Sequence, residues 1–278
     1  MKNVKLIVDS SSNSFSDPER NLTVVPLTIS FGGKEYVDNE DLELEDYLKK
    51  MDENNIAGRT SCPSLQDWLQ VLDGVDKAII LTMTSQMSGT YSSALQARNI
   101  YLEKHPKAEI IVVDSRSAGP ELELVIQGIE QLLNSKIRFV DLDEAIAKMR
   151  MQTHLLFVLQ SLHNLSLNGR VSPAIAKVTK MLKINITGTA SKEGKLEQLS
   201  KSRGMKKSLR ELIKQMKERG FKGGNVIIDY CENHKDAEKL KVEILAEYPN
   251  AKIELRPMRG LCSFYAEKGG LMVAFDEK

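Results

Sequence analysis

KAIILTMTSQMSGTYSSALQARNIYLEKHPKAEIIVV, residues 77–113, holds two short apolar runs on either side of a helical pattern. Lys77 to Met83 and Glu109 to Val113 show no polar alternation, as expected of strands in a parallel sheet covered on both faces. Between them, Thr90 to Lys104 carries Ala94, Leu95, Ala97 and Tyr101 at positions available to face inward. The order strand, helix, strand implies a right-handed crossover. The first half therefore reads as a doubly wound α/β unit.

Outward from this unit the alternation continues. Lys5 to Val8 (KLIV) reads as a strand ending in the polar cluster Asp9 to Asn13. Leu22 to Phe31 is β-rich, with Pro26 marking an edge or bulged strand. The second half offers a helix over Asp141 to Met151 and a strand over Leu155 to Leu159. Asn168-Gly169 signals a turn before a helix from about Ser172 to Leu182. Then come a β-rich stretch around Ile184 to Thr189, a hairpin-like turn at Ser191 to Lys195 and a basic helix from about Gly204 to Arg219. A strand over Val226 to Asp229, a helix around Lys235 to Glu247, and β-rich runs at Lys252 to Leu255 and Leu271 to Phe275 complete the chain. We expect two α/β domains, residues 1–155 with a parallel sheet and a smaller mixed domain over 156–278.

Composition narrows the function. In 278 residues, 39 Lys and Arg face 38 Asp and Glu, so no global field selects nucleic acid or an anionic membrane. Cys62, Cys231 and Cys262 are scattered and odd in number, which argues against a disulfide framework or a structural zinc site and suits a reducing cytosol. The opening apolar run is too short for a signal sequence, and no stretch reaches the roughly 20 apolar residues of a membrane span. A cytoplasmic protein is expected.

Four features could carry chemistry. Arg59-Thr60-Ser61-Cys62-Pro63-Ser64 precedes a helical segment, where its hydroxyls could cap the helix, with Pro63 in the first turn, or could hold an anion. Cys62 could serve there as a nucleophile, although no partner stands near it in sequence. Thr84 to Ala94 follows a strand and opens a helix, at the sheet edge where α/β folds bind ligands, and reads equally as a capped loop. It lacks the endings of a P-loop, of a dinucleotide fingerprint and of a nucleophile elbow. Asp9-Ser10 and Asp114-Ser115 each follow a strand and read as turn residues first, and as acid–base or Mg²⁺ groups second. Lys201 to Lys222 carries nine cations against two carboxylates, a solvated face or a docking surface for an acidic partner. His105, His154, His163 and His234 show no metal-ligand spacing. No catalytic residue, metal ligand or cofactor is nominated.

In order along the chain, these features resemble the DegV family. The resemblance rests on IVDSSS at Ile7 to Ser12, the VVPL-like Val24 to Leu27, Tyr36 to Asp38, the TSQPS-like Thr60 to Ser64 and SGTYSSA at Ser88 to Ala94. It extends through VVDSRSA at Val112 to Ala118, Asn168 to Ser172, and the basic Lys201 to Leu209. Membership implies a two-domain α/β fold with a fatty acid buried between the domains. It implies head-group contacts from Thr60, Ser61, Ser88 and Ser93, with Ser61 and Ser93 foremost. Tyr265 stands where the family's C-terminal loop carries a His. Some members are carrier subunits of a bacterial fatty-acid kinase. The implied partners are therefore a long-chain fatty acid, a kinase catalytic subunit and, for loading, a transient membrane contact. Arg203 lies in the basic element that the resemblance assigns to docking, and Arg170, Lys206 and Lys207 are grouped with it. A second departure, Glu121 and Glu123 after DSRS, adds carboxylates that would disfavour an anion unless they face solvent. The competing expectations are a sensor or carrier for another acidic ligand, and a hydrolase or transferase using Ser or Cys.

Overall fold

The computed structural model describes residues 4–53, 58–135, 137–174 and 184–278. Its first sheet is parallel throughout. Strands β1 (Lys5–Asp9), β2 (Leu22–Val25), β6 (Lys77–Thr82) and β7 (Glu109–Asp114) lie in the order β2-β1-β6-β7. The register sets Val8 beside Val24 and Leu81, and Leu81 beside Val113. On one face Ile7, Ile80 and Ile110 share a core with Trp68 and Leu72 of α2 (Leu65–Leu72) and with Ala94, Ala97 and Tyr101 of α3 (Thr90–Lys104). On the other, Val8, Ile79 and Leu81 share a core with Leu122 and Ile126 of α4 (Pro120–Asn134) and Leu142 and Ile146 of α5 (Leu142–Arg150). Both faces are dry, which explains the unbroken apolar runs.

The second sheet is mixed. Strands β8 (Thr153–Leu159), β9 (Ile184–Ala190), β10 (Leu196–Arg203), β11 (Asn225–Tyr230), β12 (Lys252–Pro257) and β13 (Leu271–Asp276) lie in the order β10-β9-β8-β13-β11-β12. Only the β11–β12 pair is parallel. Strands β9 and β10 form the expected hairpin, closed by Ser191 N–H donating to Lys195 O at 2.8 Å. Leu156, Val158, Ile228 and Val273 share a core with Leu209 and Leu212 of α7 (Met205–Glu218) and Leu240 and Ile244 of α8 (His234–Glu247). The cations of α7 point outward, opposite that apolar stripe.

A small antiparallel sheet stands beside these two, with β3 (Thr28–Phe31) between β4 (Lys34–Val37) and β5 (Arg59–Ser61). Among the described residues, three further α-helices remain, α1 (Leu44–Glu53), α6 (His163–Leu167) and α9 (Gly260–Ala266).

Two expectations are corrected here. Leu22 to Phe31 is two strands, an edge strand of the parallel sheet and the centre of the small one. Pro26 has no N–H to give a ladder, and the Leu27 N–H turns to Ser10 Oγ at 3.0 Å, so the chain leaves the first sheet there. Helix α4 was not expected at all. It is buried on two sides, with Leu124 in contact with Ile227 and Ala274 of the second sheet while Leu122 and Ile126 face the first. A helix packed on two sides, with Glu121 and Glu123 among its buried residues, loses the one-sided stripe by which it would be read. Residue 155, the expected division, falls inside β8. The helix expected from about Ser172 to Leu182 lies largely outside the described residues. No helix among the described residues is long and apolar enough to cross a membrane.

Candidate ligand site

The carboxyl ends of β1, β6 and β7 are knotted by their turn residues. Asp9 accepts from Ser11 N–H at 3.0 Å and from Met83 N–H at 2.6 Å, tying the exits of two strands together. It is fully buried, and burial pushes its pKa up to about 6 against the pull of those hydrogen bonds. Asp114 accepts from Ser85 N–H at 3.2 Å and Arg116 N–H at 2.9 Å. Both Asp-Ser steps are thus turn anchors.

Between this edge and the second sheet lies a cavity of about 80 Å³, lined mostly by apolar side chains. One wall is β8, whose alternate residues Leu155, Phe157 and Leu159 all face it. Met83, Met87 and Met272 add unbranched, adaptable side chains. Gly119 has φ +65°, a backbone conformation that favours glycine, and a Cβ there would stand 2.5 Å from Met272 Cε, so Met272 would have to shift.

The polar lining comes from separate elements. Thr60 of β5 and Tyr265 of α9 join through their hydroxyl oxygens at 2.7 Å. Ser88 shares a 2.7 Å contact with Thr90 Oγ1 at the start of α3. Arg170 Nε donates to Met87 O at 3.1 Å, and its Nη1 bonds Asn168 O, which holds the guanidinium against the loop that carries Ser88. Four hydroxyls, of Ser11, Thr60, Ser88 and Tyr265, and one cation therefore line an otherwise apolar cavity, and no Asp, Glu or His is among the described lining residues. Such a lining can pair a carboxylate and shelter a hydrocarbon chain.

The structure thus brings Thr60, Ser88 and Tyr265 together on one cavity, and adds Arg170, which the sequence grouped with docking cations. Ser61 is exposed on the opposite side of β5 from Thr60, by the simple alternation of a strand. Ser93 is half-buried and donates to Pro63 O at 3.0 Å. Pro63 itself precedes the helix. Ser64 is the N-cap of α2, in a capping box with Asp67. Cys62 stands beside Gly89 with no hydrogen-bond partner among the described residues. Burial raises the thiols of Cys231, to about 12, and of Cys262, so neither is a ready thiolate. Arg203, Lys206 and Lys207 are exposed at the end of β10 and the first turn of α7, and none forms an ion pair among the described residues. His105 stacks on Tyr101, while His154 and His234 meet Glu277 and Glu238.

Glu121 and Glu123 do not take the solvent-facing position that an anion site would require of them. Both are buried away from the cavity lining. Glu121 accepts from Ser117 Oγ and, at 2.7 Å, from Thr153 Oγ1. Glu123 accepts from Ser14 Oγ at 2.6 Å and pairs with Arg20 at 2.8 Å. Their lone pairs are used inside the fold.

The sequence model of the DegV family, described as "Uncharacterised protein, DegV family", matches residues 3–278. This chain belongs to the DegV family. A DegV domain-containing protein of Streptococcus pneumoniae is 37% identical over 276 residues, covering 98% of each chain. One from Streptococcus gordonii is 37% identical over 258 residues, covering 93% of this chain and 92% of the relative. Among solved structures, a DegV family protein from Eubacterium eligens loaded with heptadecanoic acid is similar at a TM-score of 0.95 and 35% identity, covering 99% of this chain and 100% of that one. The Streptococcus pneumoniae fatty acid kinase (Fak) B3 protein loaded with linoleic acid matches at the same TM-score and coverage, with 36% identity. The two-domain α/β fold of DegV proteins is therefore the fold of this chain.

Proposed function

We propose that this DegV protein binds a long-chain fatty acid between its two sheets and presents the carboxylate to a separate kinase, without catalysing a reaction itself. The observation that carries the reading is the cavity whose apolar wall ends in Thr60, Ser88, Tyr265 and Arg170. Each buried methylene contributes about 0.8 kcal/mol, so the chain supplies affinity and the hydroxyls supply orientation. Arg170 provides the counter-charge. A χ1 rotation would release Ser93 from Pro63 to join the same carboxylate, while Ser61 shapes the loop from outside.

Two relatives of 35% and 36% identity are described as holding fatty acids, and one of them is named as a fatty acid kinase protein. Arg203, Lys206 and Lys207, which form no ion pair among the described residues, suit an acidic face on that kinase, with Arg170 as the contact nearest the head group. The absence of Asp, Glu and His from the described lining supports a carrier over a hydrolase. In this reading the domains divide at about residue 155, the protein works in the cytoplasm, and the fatty acid is taken up in a transient contact with a membrane.

The test is solvent extraction of the purified protein followed by mass spectrometry, with native mass for stoichiometry. A fatty acid at about one per chain, reduced at least several-fold by Thr60→Val or Tyr265→Phe, is the expected result. An empty protein that also fails to bind added linoleic or heptadecanoic acid would end this reading.

A further inference from the structure

Asp38 follows the last residue of β4 and is buried to 2% exposure, far from any role in the cavity lining. Its two carboxylate oxygens are both used on one short helix. Oδ1 accepts from Gly260 N–H at 2.8 Å and Oδ2 from Leu261 N–H at 3.0 Å, the first two amides of α9. The Gly260 carbonyl is held from the other side by Tyr47 OH at 2.9 Å. The joint leaves no slack, since a Cβ at Gly260 would lie 2.8 Å from Asp38 Oδ1 and 2.7 Å from Leu42 Cδ2. Helix α9 is the element that delivers Leu261, Cys262, Tyr265 and Ala266 to the cavity.

The other half of the head-group pair is Thr60, and it belongs to the same small sheet. Ile29 of β3 lies opposite Tyr36 of β4 on one side and Thr60 of β5 on the other. The strand that carries Thr60 and the strand that leads into Asp38 are thus separated by one strand of a common ladder. Through Asp38, that ladder also grips the helix that carries Tyr265.

We propose that Asp38 is a positioning residue for the head-group site, clamping the start of α9 to the β4-β3-β5 sheet so that Tyr265 meets Thr60 at hydrogen-bonding distance. It touches no ligand and acts through Tyr265. This inference rests on the fatty-acid reading above and deepens it. An aspartate that only stabilised the fold would weaken binding equally whether or not Tyr265 had its hydroxyl. A positioning residue loses its effect once that hydroxyl is gone.

A double-mutant cycle separates the two. Dissociation constants for linoleic acid are measured on delipidated wild type, Asp38→Asn, Tyr265→Phe and the double variant, with melting temperatures recorded alongside. Asp38→Asn should weaken binding about tenfold alone and less than twofold in the Tyr265→Phe background. Equal losses in both backgrounds, or no loss in either, would overturn the proposal. Should Asp38→Asn fail to fold, Tyr47→Phe loosens the same joint by one hydrogen bond and is read in the same cycle with the same two outcomes. Wild type that binds no fatty acid would strike instead at the function on which the proposal rests.

Discussion

Asp9 forms no ion pair among the described residues, and its carboxylate accepts from backbone N–H groups at the exits of β1 and β6. Its pKa is raised by burial from 3.8 to about 6. The folded protein therefore holds this proton more tightly than the unfolded chain does. The stabilisation is complete below the unfolded value and is lost as pH rises through about 6, a swing of about 3 kcal/mol in order of magnitude. Asp38 and Glu121 are raised by burial too and act in the same direction. We expect the melting temperature to rise on acidification from pH 7 to pH 5. Asp9→Asn should flatten that rise, and a scan by calorimetry at four or five pH values measures it. An unchanged slope would mean that Asp9 does not titrate in this window. The residue scale is also where sequence reading stops. The resemblance puts Ser61 ahead of Thr60, and only the pairing of β5 with β3 shows that Thr60 is the one facing the cavity. Arg170 reads as one more cation until Met87 and Asn168 are seen to hold it at the cavity.

At the scale of elements, the start of α4 is the place to perturb. Gly119 has φ +65° and ψ −138°, a conformation open essentially to glycine alone, and it faces Met272 across the cavity wall. Gly119→Ala should cost about 1–3 kcal/mol through backbone strain and crowding together. It should also displace Met272 and so lower affinity for long chains, which thermal melts and titration with linoleic acid would report. Unaltered stability would show that the turn relaxes freely. The elements that were legible in the sequence are those with one dominant signal. Strands β6 and β7 carry unbroken apolar runs, and α3 begins and ends where its pattern predicts. The others fail for a physical reason. Helix α4 is buried on two sides, and β4 and β5 are only three or four residues long with exposed faces, so neither periodicity nor hydrophobicity marks them. The sheet that positions Thr60 and Asp38 is made of these illegible strands.

For the whole molecule, one buried network that binds the halves together is open to test. Asp229 of β11 pairs with Arg256 of β12 at 2.8 Å, and both reach across to the first half. Asn13 Nδ2 donates to Asp229 at 2.7 Å and Arg256 Nη2 donates to Ser12 O at 3.2 Å. Removing one member of a buried pair strands the other, at about 3–5 kcal/mol. Arg256→Ala should therefore shift the urea midpoint strongly, and a shift below about 1 kcal/mol would place the network outside the interface energetics. The docking reading belongs to this scale as well. Arg203→Ala with Lys206→Ala should weaken association with the kinase subunit at least tenfold and leave bound fatty acid unchanged, with the remaining affinity less sensitive to salt. Loss of fatty acid in that variant would contradict a separate docking face.

Helix α4 has a kinetic consequence. Because Leu122 and Ile126 belong to one sheet's core and Leu124 to the other's, the halves cannot swing apart without wetting a helix that both need. In the fatty-acid reading, an occupant of the cavity is then expected to exchange without the halves parting, on a clock of its own. Its rate of exchange should stay constant across urea concentrations that already soften the molecule but do not yet unfold it.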